Sequence, residues 1–349
     1  MNPSPAAGTR LPRTEEPPLL QVRGLRLERG DGAALVDGLD FDLRRGQTLA
    51  VVGESGSGKS LTALALAGLL PLGVRWVAGE ARFDGQSLRG LAPAAWRRLQ
   101  GRHIGMIFQE PMSSLNPVMR VGAQIVETLR THLALTPAAA RERAVELLRL
   151  VQIPEPERRV DQHPHQLSGG QRQRVMIAMA LACDPALLIA DEPTTALDVT
   201  VQAGILRLLQ QLQRERGLAL LLITHDLGVV QQVADHALVM YGGRLMEQGQ
   251  ATEVLRAPRH PYTRGLLRAR PSGRLPRTQR LQEIPGTVAA PAPGRCGCPF
   301  APRCADAEAR CTTELPPLAP TGPDRASACW LQDQEDATLR RRTTEGADG

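Results

Sequence analysis

The stretch Gly53–Ser60, GESGSGKS, has the residue types and spacing of a loop that binds phosphate groups. It fits the pattern G-x-x-x-x-G-K-[ST] at every fixed position. Glycines let backbone N–H groups converge on phosphate oxygens, a lysine can reach the β- and γ-phosphates, and a serine hydroxyl can bind Mg²⁺. The predicted nucleotide ligands are Gly53, Glu54, Ser55, Gly56, Ser57, Gly58, Lys59, Ser60 and Leu61.

Two further apolar stretches end in polar residues that suit the same chemistry. In LLIADEP the apolar run is followed by Asp191 and Glu192. In LALLLITHD it is followed by a threonine, His225 and an aspartate. Asp191 is predicted to hold Mg²⁺ together with Ser60, and Glu192 to polarise the water that attacks the γ-phosphate, a help worth ~10²–10⁴ in rate. His225 is predicted to contact the γ-phosphate, because α/β sheets bind ligands at the carboxyl ends of their strands.

The elements that must position these residues are predicted to belong to a parallel α/β sheet. TLAVV, before the glycine loop, is a short continuous apolar run, typical of a strand covered on both faces. SLTALALAGLLP, after the loop, indicates a helix that stops before Pro71. A strand, a glycine loop and a helix, whose positive end faces the phosphates, form the context that the motif requires.

Length, composition and charge disfavour several classes of protein. The 349 residues favour one large domain and a small one. The net charge is +6, but the arginines lie among acidic residues and aromatic residues make up only 3%, which favours a solvated surface over a nucleic-acid interface. No apolar run reaches the roughly 18 residues of a membrane span, and the first twenty residues lack the apolar core of a signal peptide. A cytosolic protein with reduced thiols is therefore expected.

A further motif, HQLSGGQRQRVMIAMALA, completes a set that resembles the ATP-binding-cassette (ABC) family over about residues 20–255. Ser168 is the predicted N-cap of its helix, and the glycines after it suit an anion. The resemblance implies that Gln109 in MIFQEP is the Q-loop residue, with a catalytic role and as a Mg²⁺ ligand. It also implies that His225 is the switch histidine and that ATP contacts Ser168, Gly169, Gly170, Gln171 and Asp198.

The resemblance implies an α/β fold of the P-loop NTPase (RecA-like) type, with an inserted α-helical subdomain at about residues 112–170. It also implies ATP and Mg²⁺ as cofactors and two cassettes stacked head to tail, so that each ATP lies between one partner's glycine loop and the other's signature. Within the subdomain, Val121, Ile125, Leu129 and Leu133 follow helical spacing, and Thr136 is the predicted N-cap of the next helix. The surface around 109–117 is expected to receive a helix from a membrane-embedded partner.

One departure from the family pattern concerns the base of the nucleotide. ABC cassettes stack the adenine on an aromatic side chain of an early loop, but LRLERGDG has no aromatic residue at this place. Arg29 is a candidate substitute, since a guanidinium group can stack on a base.

The chain after residue 256 resembles the C-terminal extension of oligopeptide/dipeptide importer ATPases, and the cassette stretches GESGSGKSLTALALAGLLP and QEPMSSLNP resemble the D-type subunit of these importers. The resemblance of the extension is carried by His-Pro-Tyr-Thr at 260–263, by Ile-Pro-Gly at 284–286 and by the spaced cysteines that follow. The predicted organisation is a disordered tail at 1–17, a nucleotide-binding domain at 18–255, a C-terminal domain at 256–335 and a second disordered tail at 336–349.

Four cysteines of this extension, Cys298, Cys304, Cys311 and Cys329, are predicted to bind a metal group. Disulfides are not expected in the cytosol, and the segment is too poor in apolar residues to fold by burial alone. Four thiolates could hold tetrahedral Zn²⁺ or a [4Fe–4S] cluster, and the family resemblance favours the cluster. Cys296 is a spare ligand in this interpretation, and Cys183 is core.

The resemblance as a whole implies an ATPase subunit of an ABC peptide importer at the cytoplasmic face of the inner membrane. Its expected partners are a second ATPase, identical or paralogous, two permease subunits and an external solute-binding protein. Importers of nickel, glutathione or another small solute are alternatives. A soluble ABC ATPase that acts on DNA or ribosomes is a further alternative, which the lack of a long heptad insert and of a second cassette disfavours.

Overall fold

The structure is a computed structural model that describes residues 17–109, 114–195, 197–269, 283–288, 293–294 and 296–332. The predicted tails at 1–17 and 336–349 lie outside these residues, apart from residue 17. None of the described helices is long and apolar enough to cross a membrane.

An eight-stranded sheet forms the centre of the fold, in the spatial order β11-β12-β10-β9-β3-β8-β7-β6. Its five strands from β9 to β6 are parallel, and every residue of β3, β7 and β8 is buried, as their apolar runs predict. The bounds are β3 Thr48–Val52, β6 Ile104–Ile107, β7 Leu187–Asp191, β8 Ala219–Thr224, β9 His236–Tyr241, β10 Arg244–Gln250, β11 Ala319–Gly322 and β12 Arg325–Ser327.

A second, antiparallel sheet of four strands packs its apolar face against this sheet in one shared core. Its spatial order is β2-β1-β4-β5. The buried residues of β1 and β2 alternate with partly buried or exposed ones, because one face of each strand meets the core and the other faces outward. The bounds are β1 Leu20–Arg29, β2 Ala34–Leu43, β4 Val74–Phe83 and β5 Gln86–Ser87.

Helices cover the central sheet. Those that follow β6 and precede β7 along the chain form a separate helical layer. The described α-helices are α1 Lys59–Leu66, α2 Pro93–Leu99, α3 Val121–His132, α4 Pro137–Leu150, α5 Pro156–Arg159, α6 Gly169–Ala180, α7 Val199–Arg216, α8 Leu227–Val233, α9 Ala251–Arg256, α10 Pro261–Arg268 and α11 Ala309–Thr313.

The helical layer follows the pattern that its sequence predicts. Val121, Ile125 and Leu129 of α3 are fully buried and share a core with α4 and α6, whereas Leu133 is partly buried at its edge. Thr136 caps α4, since its hydroxyl accepts a hydrogen bond from the backbone N–H of Ala139 at 3.2 Å.

The C-terminal residues continue the central sheet and its core. β12 pairs antiparallel with β10, and β11 pairs with β12. Tyr241 and Met246 of the sheet share one apolar cluster with Tyr262 and Phe300. The buried carboxylate of Glu247 joins the same parts, because it accepts hydrogen bonds from two backbone N–H groups at 259 and 260 and pairs with Arg325 of β12 at 2.8 Å.

His260 caps helix α10 from a fully enclosed position. Its Nδ1 accepts a hydrogen bond from the backbone N–H of Tyr262 at 3.0 Å, which requires the ring to be unprotonated at that nitrogen. Burial lowers the pKa of His260 to about 3, well below the usual value for histidine. An exposed histidine in the unfolded chain titrates near 6.5, so the unfolded chain takes up the proton first as the pH falls.

We therefore expect folding stability to be lost as the pH falls from about 6.5 toward 3, and His260→Asn to remove this part of the loss. Between pH 7 and pH 5 the wild type should lose about 2 kcal/mol more than the variant, since each pKa unit is worth 1.36 kcal/mol. Urea unfolding at the two pH values measures the difference, and His103→Asn, at an exposed position, controls for the loss of a histidine. Equal pH dependence of wild type and His260→Asn would contradict the expectation.

Candidate nucleotide site

The glycine loop connects β3 to α1 at the carboxyl edge of the central sheet. Gly58 has φ +97° as the N-cap of α1, a conformation that favours glycine. A Cβ at Gly53 would overlap the carbonyl oxygen of Met240 in β9, so the loop passes too close to the neighbouring strand for any side chain. The motif glycines are therefore required by the backbone itself as well as by a ligand.

Lys59 fills the loop that the glycines form. Its side chain is buried, and Nζ donates hydrogen bonds to the carbonyl oxygens of Gly53 at 2.8 Å and Glu54 at 2.9 Å and to Ser57 Oγ at 3.3 Å. Burial lowers the pKa of Lys59, and the carboxylates of Glu192, Asp191 and Glu54 oppose this shift. The three hydrogen-bond acceptors of Lys59 Nζ are uncharged. Phosphate oxygens carry negative charge, accept stronger hydrogen bonds from an ammonium group and can therefore replace them.

Ser60 and Asp191 meet although 131 positions separate them in the chain. The Ser60 hydroxyl donates to Asp191 Oδ1 at 3.0 Å, because β8 lies between β3 and β7 and aligns their carboxyl ends. Burial raises the pKa of Asp191, and the hydrogen bond from Ser60 opposes the shift. A hydroxyl and a carboxylate at hydrogen-bond distance form an all-oxygen donor pair, which is the kind that Mg²⁺ prefers.

The three predicted catalytic residues come together around one carboxylate. Glu192 accepts a hydrogen bond from Gln109 Nε2 at 3.2 Å, and its other oxygen lies 3.1 Å from Nδ1 of His225. Burial acts to raise the pKa of Glu192, but hydrogen bonds from Thr195 and His225 outweigh it, and the pKa lies below its usual value. The group is therefore an ionised hydrogen-bond acceptor beside the loop.

Thr195 is a member of this cluster that the sequence analysis missed. Its hydroxyl donates to Glu192 Oε2 at 2.8 Å, and Glu192 itself adopts the left-handed conformation, with φ +47°. The backbone of the turn after β7 is therefore strained at Glu192, and the hydrogen bond from Thr195 fixes the position of the Glu192 carboxylate. A threonine three residues after the acid pair was the available signal.

The signature residues form a capped helix start, as predicted. Ser168 Oγ accepts from the backbone N–H of Gln171 at 3.3 Å, and Gln171 Oε1 accepts from the backbone N–H of Ser168 at 3.0 Å. A Cβ at Gly170 would approach Val201 of α7 to 2.6 Å, while Gly169 has room. Asp198 caps α7, because its Oδ1 accepts from the backbone N–H of Val201 at 2.9 Å.

Among the described residues, no hydrogen bond joins the signature at positions 168–171 to the glycine loop at positions 53–60 of the same chain. Arg29, the predicted adenine contact, lies at the end of β1 and pairs with Asp31 at 2.6 Å on an exposed surface. These residues remain predictions as nucleotide ligands.

The four predicted cysteine ligands line one small cavity of about 20 Å³, together with His260. The backbone N–H of Cys298 donates to the carbonyl oxygen of Cys311 at 2.8 Å, and burial raises the thiol pKa of Cys298 to about 11. Cys296 is exposed and Cys183 partly buried against the core. Within the described part of the chain, however, no three His, Cys, Asp or Glu side chains are arranged to hold a metal ion. The predicted metal group is therefore not confirmed.

Comparison with protein families agrees with this site. A family model described as "ABC transporter" matches residues 36–195, and one described as "Oligopeptide/dipeptide transporter, C-terminal region" matches residues 246–311. A probable peptide ABC transporter ATP-binding protein of Sinorhizobium fredii is 49% identical over 298 residues, which cover 85% of this chain and 89% of that protein. A putative peptide import ATP-binding protein of Brucella melitensis biotype 1 is 48% identical over 326 residues, with 89% and 96% covered.

Solved structures with a similar fold are ABC cassettes. CbiO1 from Clostridium perfringens, part of the ABC transporter complex cbiONQ, has a TM-score of 0.62 at 30% identity and covers 69% of this chain and 92% of its own. The dimeric ATP-binding cassette MJ0796 in a post-hydrolysis state, bound to ADP and Pi, has a TM-score of 0.60 at 26% identity and covers 66% and 98%.

We expect Glu192→Gln to keep ATP binding and to lower turnover by ~10²–10⁴, because the amide retains the hydrogen-bonding shape but cannot take a proton. Phosphate release and equilibrium binding of ATP, measured on the same preparation, separate the two effects. Lys59→Ala is the matched contrast and should weaken binding itself. Full turnover by Glu192→Gln, or unchanged ATP affinity in Lys59→Ala, would contradict the assignment.

Proposed function

The chain belongs to the family of ABC transporter ATP-binding proteins, and from this premise we propose that it is the ATPase subunit of a peptide importer. The observation that carries the proposal is the assembled site: a complete glycine loop, a Ser60–Asp191 pair and an ionised Glu192 at one sheet edge. The peptide substrate is supported by relatives named peptide import ATP-binding proteins and by the match of residues 246–311 to the oligopeptide/dipeptide transporter region.

In the proposed reaction, the oxygen of a water molecule bonds to the γ-phosphorus of ATP while the bond to the bridging oxygen breaks. Glu192 orients the water and takes its proton, and ADP leaves with the electron pair. Lys59 exchanges the carbonyl oxygens of Gly53 and Glu54 for phosphate oxygens and so stabilises the charge. Mg²⁺ on Ser60 and Asp191 would offset charge on the β- and γ-phosphates. Gln109 and His225 hold Glu192 and contact the γ-phosphate side.

We propose that two such subunits share each ATP. Because the signature at 168–171 makes no hydrogen bond with its own glycine loop among the described residues, its helix start is available to a partner's triphosphate. The dimeric cassette MJ0796 bound to ADP and Pi supports a paired arrangement. ATP then binds the closed pair better than the open one, and hydrolysis releases it. The partner is a second copy or a paralogue.

A permease partner is supported by an apolar cleft beside the same site. The cleft has a volume of about 300 Å³ and is lined by Leu69, Met106, Phe108, Met176 and Met179, among others. Leu69 and Phe108 are each 41% exposed, so the cleft presents large apolar side chains to solvent. The cleft adjoins Gln109, at the start of the predicted coupling surface 109–117, of which 110–113 lie outside the described residues. A short helix of a membrane subunit would therefore move Gln109 and the Glu192 cluster together, at the cytoplasmic face of the membrane.

The proposal is tested by reconstituting the chain with its second ATPase, two permease subunits and a solute-binding protein in vesicles. We expect ATP hydrolysis and uptake of a labelled peptide to depend on one another, and both to be lost with Glu192→Gln. Uptake of nickel or glutathione without peptide uptake would show that the transported solute is not a peptide. Hydrolysis stimulated by DNA or ribosomes, and indifferent to the permeases, would contradict the function.

We further infer that Cys298, Cys304, Cys311 and Cys329 hold a [4Fe–4S] cluster or Zn²⁺. Four thiols that line one cavity match these groups in donor number and type, although binding requires the thiols to move and to lose the protons that burial favours. Anaerobic purification with iron, sulfide and zinc analysis is expected to find one group per chain, lost in Cys304→Ser and kept in Cys296→Ser. A chain without metal and with all thiols titratable would contradict this inference.

A further inference from the structure

The phosphate loop carries an acidic residue whose partner comes from the far end of the chain. Arg303 donates a hydrogen bond from its guanidinium to Glu54 Oε2 at 2.6 Å, across 249 positions of sequence. The side chain of Arg303 is only 7% exposed and that of Glu54 25%, so water screens the pair weakly. The contact therefore differs from the exposed arginine–carboxylate pairs on the rest of the surface.

Arg303 is held in a prepared position. Nε donates to the carbonyl oxygen of Pro285 at 2.8 Å, and the two terminal nitrogens reach the carbonyl oxygen of Ile284 at 3.0 Å and Oη of Tyr241 at 3.2 Å. The guanidinium also lies over the Tyr241 ring, 5.7 Å from its centroid. Because these contacts fix the planar group, its charge faces Glu54 without further loss of side-chain freedom.

The backbone of the same loop residue is held by a second contact from the C-terminal segment. The hydroxyl of Tyr262 accepts a hydrogen bond from the backbone N–H of Glu54 at 2.8 Å. Tyr262 is fully buried and packs against Tyr241 and Phe300, with ring centroids 4.7 Å and 5.2 Å away. The residue that follows Gly53 in the loop is therefore fixed at its amide and at its carboxylate from outside the loop.

This arrangement bears on ATP because Glu54 is an anion within a loop that binds anions. Its carbonyl oxygen accepts from Lys59 Nζ, and its carboxylate is one of the three whose charge acts on Lys59. Without a countercharge, the carboxylate would repel the triphosphate and compete for Lys59. We propose that Arg303, aligned by Tyr241 and the 284–285 backbone, neutralises Glu54 and so positions the phosphate loop for ATP. The proposal rests on ATP being the ligand of this loop.

The test measures binding of a non-hydrolysable ATP analogue to the full-length chain by calorimetry, with thermal melting as a check of folding. Arg303→Gln is expected to weaken binding about tenfold, because the uncompensated carboxylate of Glu54 then repels the triphosphate across a partly screened distance. Glu54→Gln alone is expected to bind the analogue more tightly, because it removes a negative charge from the loop and leaves the charge of Arg303 uncompensated. The double variant Glu54→Gln/Arg303→Gln should recover affinity to within about twofold of wild type, since the uncompensated carboxylate is gone.

Two controls separate charge from packing. Arg310→Gln removes an arginine that pairs with Glu314 in the same segment at 3.1 Å and should leave affinity unchanged. Binding of AMP, which lacks the β- and γ-phosphates, should respond less to Arg303→Gln than binding of the ATP analogue.

Three results would overturn the proposal. They are unchanged ATP affinity in a folded Arg303→Gln chain, no recovery in the double variant, and unchanged or weaker binding in Glu54→Gln alone. The last comparison still decides the question if Arg303→Gln does not fold. Failure of the wild-type chain to bind the analogue would instead contradict the proposed ATPase function.

Discussion

The parallel pairing of β3, β8 and β7 is the constraint on which the rest of this molecule depends. Because parallel strands place all their carboxyl ends at one edge, the loop after β3, the acids at the end of β7 and the histidine after β8 must meet there. The hydrogen bond from Ser60 to Asp191 and the contacts around Glu192 are consequences of this alignment. The strands are buried on both faces, so their register cannot slip without exposing apolar surface or leaving backbone groups unpaired.

Hydrogen bonds among its own charged and polar groups hold the site together. Lys59 donates to loop carbonyl oxygens, Asp191 accepts from Ser60, and Glu192 accepts from Gln109 and Thr195. Each of these partners is replaceable by a phosphate oxygen, a cation or a water molecule, so the polar groups are satisfied both before and after a nucleotide binds. Buried charged groups are costly without such partners.

The described part of the C-terminal segment, after residue 256, packs into the same sheet and core as the nucleotide site and does not fold apart from it. Two of its strands extend the central sheet, and Tyr262 and Phe300 enter the core that lies behind the loop. The buried Glu247–Arg325 pair ties the sheet to the segment, and removal of either partner would leave an unpaired charge inside the protein. A segment with few apolar residues of its own is thereby stabilised by surfaces that the cassette supplies.

The amino-acid sequence was enough to predict the local features: the strand, glycine loop and helix around Lys59, the N-caps Thr136 and Ser168, and the apolar stripe of α3. These follow from neighbouring residues, because periodicity, caps and glycine conformations act within a few positions of the chain. Contacts between distant positions of the chain became evident only from the folded structure. Gln109 and His225 both lie at Glu192, Arg303 lies at Glu54, and four cysteines line one cavity without a metal-holding arrangement among the described residues. Such contacts depend on strand order and on loop paths, which no local pattern encodes.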